Sequence, residues 1–389
     1  MFHLESLEAG LGGKVAPVAV YSPQPEHRQK FAAACNERAL SGARMEACDS
    51  LDRLLDRVDV VHVCAPASQH ERVAVRALER NVNVILEKPF TGYFGPSDDA
   101  DFAGNSFPKD VMRREARASA RRIVEAERAS TAQLFYAENW IFTPVVQKEV
   151  EILRKTRGQI LWMIAEEAHS GSHSPTYGVW KSAGGGSIMG KGTHPITTVL
   201  YMKRIEGIAR GTGPVRPRTV TSRVHELTRL PSYDDRGFLR TEYTDVEDFG
   251  MVHITFTDGT IADVFCSEIV MGGVHNWLEV FANNHRTRCN INPIDAIQSY
   301  NPEESQFQDI YVVEKIGTRQ GWMQPAPDEN WMNGYIQELS SFYSEMETGS
   351  ASISYAELGY DTVDVIYGAY LSAEQSGKEV VLEDSERQT

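Results

Sequence analysis

The sequence predicts an α/β protein in two parts. A doubly wound parallel sheet comes first, and a second α/β domain follows, built on a large, mainly antiparallel open sheet. Three observations predict this. Short apolar strands alternate with helices from Val15 to Trp140. The strand "VDVVHVCAP" (58–66) is apolar almost without a break, as suits a parallel strand covered on both faces. Beyond it the β-like runs lengthen and alternate, as in half-buried antiparallel strands. A chain of 389 residues also exceeds one core, since single cores stop growing at about 250–300 residues. The expected domains are 1–137 and 138–389.

The elements follow in order. "VAPVAVY" (15–21) reads as a buried strand. "PEHRQKFAAACNER" is a helix with Phe31, Ala34 and Cys35 on one face. After the strand at 58–66, "SQHERVAVRALERN" is a helix with Val73, Val75, Ala77 and Leu78 as its apolar positions. "VNVILEKP" is the next strand. Residues 91–109, "TGYFGPSDDADFAGNSFPK", interrupt the rhythm and are long for a βα connection, so a lid or interface insertion is expected. A helix from about Val111 to Ser130 and a strand in "AQLFYAENW" close this half. The second half offers "QILWMIAEEAH", "TVTSRVHEL", "FGMVHITFTDGTIADVFCSEI" and "HNWLEVFANN" as strands, with a hairpin turn at Asp258-Gly259. Two helices in 333–377 end the chain.

Hydrophobic residues make up 41% and charged residues 24%, ordinary values for a globular protein. The net charge of −15 argues against general binding to nucleic acid or anionic membranes, which needs basic patches. No apolar run approaches the roughly 20 residues of a membrane span, and no signal peptide is visible. Cys35, Cys48, Cys64, Cys266 and Cys289 are scattered with no CxxC pair, which reads as reduced thiols in a cytoplasmic protein.

Ligands of open α/β sheets bind beyond the carboxyl ends of the strands. Lys88, held between Glu87 and Pro89, stands at such an end. In "EEAHSGSH", His169 and His173 are four apart, but a strand running into a Gly/Ser loop removes the helical metal-site geometry, so no metal is expected. Hydrogen bonding to substrate suits them better. Tyr177, Trp180 and Lys181 offer an aromatic face for a sugar ring, with core packing as the alternative for Trp180.

The stretch "VDVVHVCAPASQHERVAVRALERNVNVILEKP", the glycine triplet in "GGGSIMGKGTHP" (184–195), the sheet run "VEDFGMVHITFTDGTI" and the final helices together resemble the Gfo/Idh/MocA oxidoreductases. The resemblance runs from about His3 to Leu382. It implies an N-terminal Rossmann-like domain binding NAD or NADP, and a C-terminal domain for a sugar or polyol substrate. It also implies a homo-oligomer, a dimer or tetramer formed through the C-terminal sheet. By resemblance, Lys88 and His194 carry the proton chemistry. Ala65, Pro66, His70, Glu87 and Lys88 lie along the cofactor. Glu138, Asn139, Trp140 and Lys191 face substrate, with His169, His173 and Trp180. Pro195 suits a first helical turn, and a helix start disfavours a positive charge on His194. The family usually has an Asp four residues before this histidine, where this chain has Gly190. Glu138, Glu166 and Glu167 are the candidate replacements.

A Rossmann domain should open with a strand and G-x-G-x-x-G. Neither is present, and His3 falls where a helix histidine usually follows that loop. Three explanations compete: a start displaced by about a dozen residues, a lost dinucleotide site, or an altered binding mode. As it stands the chain is expected to bind dinucleotide poorly. Ser22 occupies the position where NAD-preferring sites carry an acid, and with His27 and Arg28 it could take a 2′-phosphate, so NADP is at least as well suited as NAD. The leading reading is an NAD(P)-dependent sugar or polyol dehydrogenase. The alternatives are an NAD-retaining glycosidase or lyase working by transient oxidation and elimination, and a non-catalytic sugar-binding protein.

Overall fold

Parallel strands do form the first half, but in two separate ribbons. The computed structural model describes residues 2–38, 44–96, 99, 101–172, 174, 176–292 and 296–382. β1 (Ala19–Tyr21) pairs in parallel with β2 (Glu46–Cys48). β3 (Val60–Val63), β4 (Asn83–Glu87) and β5 (Leu134–Ala137) form a second parallel sheet in that order. β1 starts at Ala19 instead of Val15; Pro17 just before it has no amide for a ladder. β2 was not foreseen, because its three residues, Glu-Ala-Cys, carry no periodic signal.

The helix His70–Leu78 buries His70, Val73, Ala74, Ala77 and Leu78, a helical stripe. Val75 lies at its edge, so Ala74 takes the inward place expected of it. The helix Pro25–Glu37 likewise buries Ala32 and Cys35, with Phe31 and Ala34 only half-buried. A further helix, Phe2–Leu11, precedes β1.

The second half is built on one sheet of seven strands: β6 (Ile160–Ala168), β7 (Pro217–His225), β8 (Phe249–Phe256), β9 (Ile261–Ser267), β10 (His275–Ala282), β11 (Arg286–Asn292) and β14 (Val380–Val381). Their spatial order is β11-β10-β6-β9-β8-β7-β14. Only β6 and β9 run parallel; the other pairs are antiparallel. The β8–β9 turn is the expected hairpin, with Gly259 at φ +82°. β12 (Ser299–Asn301) and β13 (Gly321–Met323) make a small antiparallel arm.

The last two helices cross back to the first half. Tyr335–Thr348 packs on Phe2–Leu11, and Ala356–Glu374 packs on Lys109–Ala129 as well as on β7. Tyr136 on β5 donates its amide to Ser354 O at 2.9 Å.

The described residues of this segment, 91–96, 99 and 101–109, are held across this junction as a strap. The Lys109 ammonium donates to the carbonyls of Gly104, Asn105 and Phe107 at 2.8, 3.2 and 2.7 Å. Gly104 N reaches Asp245 Oδ2 at 2.6 Å, and Lys181 Nζ reaches Asp99 O at 2.7 Å. Tyr93, Phe102 and Phe107 pack on one another, edge-to-face or tilted. Trp180 lies underneath, 1% exposed, with its indole N–H on Tyr93 O at 3.0 Å. A Cβ on Gly104 would come within 2.2 Å of that ring. Trp180 is therefore core, and the expected sugar-stacking face is closed by the strap.

Lys109→Met should lower unfolding stability by about 3 kcal/mol, given that hydrogen bonds from a charged group are worth roughly 1.5–3 kcal/mol each. It should also open residues 91–109 to limited proteolysis; urea unfolding and a trypsin time course measure both.

Candidate active site

The site is assembled at the carboxyl ends of β4 and β5, against the start of the helix Thr193–Arg210. β4 buries Val84, Ile85 and Leu86 completely and so fixes the residue that follows it. Lys88 is joined to Pro89 by a cis peptide bond. Its ammonium donates to Gly190 O at 3.3 Å. Burial would lower its pKa, but the surrounding acids, Tyr177, Glu167, Glu138 and Glu87, hold it above the usual lysine value. Lys88 therefore stays charged at neutral pH.

His194 sits in the first turn of its helix, with Pro195 next to it as expected. Its Nδ1 lies 2.5 Å from Glu138 Oε1. A carboxylate oxygen only accepts, so Nδ1–H donates and Nε2 is left with the lone pair. Trp140 stacks on the imidazole, centroids 5.9 Å apart at 11°. Glu138 follows β5 directly and is fully buried; its Oε2 has no hydrogen-bond partner among the described residues. Of the three acids considered for the role missing at Gly190, Glu138 is the one that grips His194. Glu166 faces the other side of the sheet, bound to the Trp277 indole at 2.8 Å. Glu167 is buried near the lysines. Burial raises its pKa, while His194, Lys191 and Lys88 pull it back.

A second group adjoins the first. Lys191 Nζ donates to Ser172 Oγ at 3.0 Å and lies 3.7 Å from Glu268 Oε1. Ser172 Oγ also donates to Glu268 Oε1 at 3.2 Å. His169 Nδ1 accepts from Gly171 N at 3.0 Å, which places its proton on Nε2. His173 lies outside the described residues. No three His, Cys, Asp or Glu side chains among the described residues converge as metal ligands.

Several expected contacts are taken up by the protein itself. Both ring nitrogens of His70 meet backbone carbonyls, Pro89 O at 2.8 Å and Ala65 O at 3.0 Å, and the side chain is 1% exposed. His70 thus ties the turn after β3 to the turn carrying Lys88; it does not reach a ligand. Asn139 is likewise occupied, donating to Asn333 O at 2.7 Å. Glu87 Oε1 accepts from His3 Nε2 at 2.6 Å, and its Oε2 accepts the Lys88 amide at 3.0 Å. From His3 the chain continues to His62 Nδ1 at 2.8 Å and on to Tyr343 Oη at 2.9 Å. Burial, with His3 beside it, lowers the His62 pKa to about 3. One set of neutral tautomers satisfies every link: Tyr343 donates to His62, His62 to His3, and His3 to Glu87.

Ala65 and Pro66 lie open at the end of β3. Ser22 and Arg28 meet beyond β1, the guanidinium donating to Ser22 O at 2.9 Å. The glycine triplet serves close packing. A Cβ on Gly186 would stand 2.1 Å from Glu247 O. The buried Glu247 carboxyl accepts from Gly186 N at 3.2 Å, Ile188 N at 2.9 Å and Tyr370 Oη at 2.8 Å. Burial pushes its pKa up to about 7, against these hydrogen bonds. Sequence reasoning missed Ser172 and Glu268, and it left Glu138 as one of three acids that could orient His194. Glu268 ends the run read as a β-strand, the one signal available for it.

An NAD-type dinucleotide fits the open edge in one respect seen here: the helix Phe2–Leu11 begins beside Glu87, bringing a helix N-terminus to the strand ends, where phosphates are favoured. Ser22 follows β1 and Lys88 follows β4, each at the carboxyl end of its strand.

The parallel strands of the first half are Rossmann-like, and a charged lysine and a carboxylate-paired histidine stand at their ends. Residues 2–99 match the family model described as "Oxidoreductase family, NAD-binding Rossmann fold", the family that the motifs of this chain resemble. No curated protein matches the sequence. Among solved structures, GenD2 from gentamicin A biosynthesis, in complex with NAD, is 21% identical with a TM-score of 0.75, covering 98% of this chain and 93% of that one. A myo-inositol dehydrogenase from Corynebacterium glutamicum is 16% identical with a TM-score of 0.68, covering 99% and 96%. Levoglucosan dehydrogenase, in complex with NADH and levoglucosan, is 18% identical with a TM-score of 0.68, covering 98% and 95%. At these identities the likeness is one of fold. No helix among the described residues is long and apolar enough to cross a membrane.

The raised pKa of Glu247 has a definite sign. Its stabilising share is fully present below the ordinary value of 4.5 and is lost as pH rises through about 7. Urea unfolding across that window should show wild type losing stability relative to Glu247→Gln, whose neutral amide does not titrate.

Proposed function

We propose that this chain is an NAD(P)-dependent dehydrogenase of a sugar or polyol hydroxyl, with His194 as its base. The observation that carries the reading is the Glu138–His194 contact beside the charged Lys88. Glu138 holds the proton of His194 on Nδ1, so Nε2 can take the hydroxyl proton, and the buried carboxylate then balances the imidazolium. Lys88 stabilises the oxygen as negative charge develops on it. A bound nicotinamide would supply the hydride acceptor. Structures named as myo-inositol and levoglucosan dehydrogenases share the fold and support the substrate class. Glu138 also meets the need left by Gly190, which was the sequence's ground for an elimination mechanism.

The edge residues Ser22 and Arg28 suit NADP as well as NAD. The outer face of the seven-stranded sheet carries Trp162 stacked on Phe281, 4.6 Å apart, and suits association of two copies.

Calorimetry with NAD, NADH, NADP and NADPH tests the cofactor, and NADH or NADPH formation over a panel of sugars and polyols tests the reaction. His194→Ala should lower kcat on the order of 10²–10⁴-fold while leaving dinucleotide affinity nearly unchanged. No dinucleotide binding at millimolar ligand, or full activity in His194→Ala, would sink the reading.

A further inference from the structure

The segment after β6 forms one wall of a cavity of about 500 Å³, whose lining includes Ser170, Ser172, Arg240, Glu242 and Lys315. Its wall is continuous with the catalytic loop, because Lys191, three residues before His194, donates to Ser172. Lys315 is unusual on two counts. Its backbone lies in the left-handed region at φ +63°, uncommon for a residue with a side chain and typical of functional sites when it occurs. Its side chain is only 4% exposed, yet among the described residues its one ion partner is Glu314 at 3.5 Å, itself 58% exposed. A surface carboxylate contributes little to holding a buried ammonium. Burial lowers the Lys315 pKa; Glu314 and Glu268 pull it back up, and Lys191 pushes it further down.

Arg240 adds a fixed cation. Its guanidinium donates to Ser172 O at 2.5 Å, Ser174 O at 2.8 Å and Glu242 O at 3.3 Å, so it stays at the rim in one pose. Two acids face the same region. Glu242 is 81% exposed, with its Oε2 3.7 Å from Arg240 Nε. Glu268 is already shared by Ser172, Lys191 and His169. Among the described residues, Lys315 is left as a buried ammonium whose one direct ion partner is the exposed Glu314, with the buried Glu268 acting on it only from a distance.

Building on the dehydrogenase reading, we propose that the sugar or polyol bears an anionic group, a carboxylate or phosphate, which seats between Ser170–Ser172 and Lys315 while its hydroxyl meets Lys88 and His194. A charge-assisted contact with Lys315 gives that ammonium a partner inside the cavity, and the Ser170 hydroxyl on the same lining can donate beside it.

Calorimetry on the full chain, with and without NAD, tests this by matched pairs: D-glucose against D-glucuronate and D-glucose 6-phosphate, D-galactose against D-galacturonate, and myo-inositol against myo-inositol 1-phosphate. At least one acid should bind about tenfold more tightly than its neutral parent, as a charge-assisted contact implies. The acid that binds tells carboxylate from phosphate. The preference should disappear in Lys315→Met and Lys315→Gln, with circular dichroism confirming the fold; if both variants unfold, the wild-type pairs decide. Neutral parents binding as well as every acid, or a preference unchanged in the folded variants, overturns the proposal. Acid binding without NADH formation would keep this inference and remove the dehydrogenase; NADH formation from neutral sugars alone would do the reverse.

Discussion

Charge buried at the seam between the two sheets is the constraint on which the rest depends. Glu138 follows β5, while Glu167 and Glu268 lie at the ends of β6 and β9, and all three are nearly or fully buried. Buried carboxylates are tolerated only when partnered. The partners come from elsewhere in the chain: Lys88 from the end of β4, Lys191 and His194 from the helix start. No element of the site therefore satisfies itself. Moving β4 relative to β6 would strand charges on both sides, so the same interactions that prepare the chemistry also fix how the two halves meet.

Much of this was legible from residue order. Strand–helix alternation gave the parallel half, and alternation within longer runs gave the larger sheet. The Glu-Lys-Pro run marked the strand end that carries Lys88. What stayed hidden has physical causes. β2 is too short for a period. Glu138 was one of three acids that could orient His194; that it is the one to do so, across 56 residues, is decided by which carboxylate the fold brings to the ring. His70 and Asn139 were expected at a ligand through the family resemblance, and Trp180 as an aromatic face for a sugar; in the fold both His70 nitrogens and the Asn139 Nδ2 meet backbone carbonyls, and the Trp180 ring is covered. Sequence registers what a side chain can do, while burial decides what remains free to do it.

The glycine triplet shows the same division. Read as a motif, it suggests room for a ligand. In the structure Gly186 and Gly185 admit Glu247 and Tyr370, and the buried Glu247 carboxyl collects the amides that open the short helix Ser187–Gly190. The motif prepares the loop that presents His194, one step removed from the reaction.

The closing helices have a consequence for how the chain is made. β5 borrows a backbone partner from Ser354, Phe135 packs on Phe342 with centroids 5.3 Å apart, and Phe90 fills the space left by the missing side chain of Gly359. During synthesis these partners emerge last. The nascent first half must leave the ribosome with its sheet uncovered on that side, and it reaches its final packing only after some two hundred further residues have followed. Until then, an exposed apolar face and unpaired strand atoms are available to chaperones or to a neighbouring nascent chain. Translation order thus assigns this protein its most vulnerable interval before the second sheet is complete.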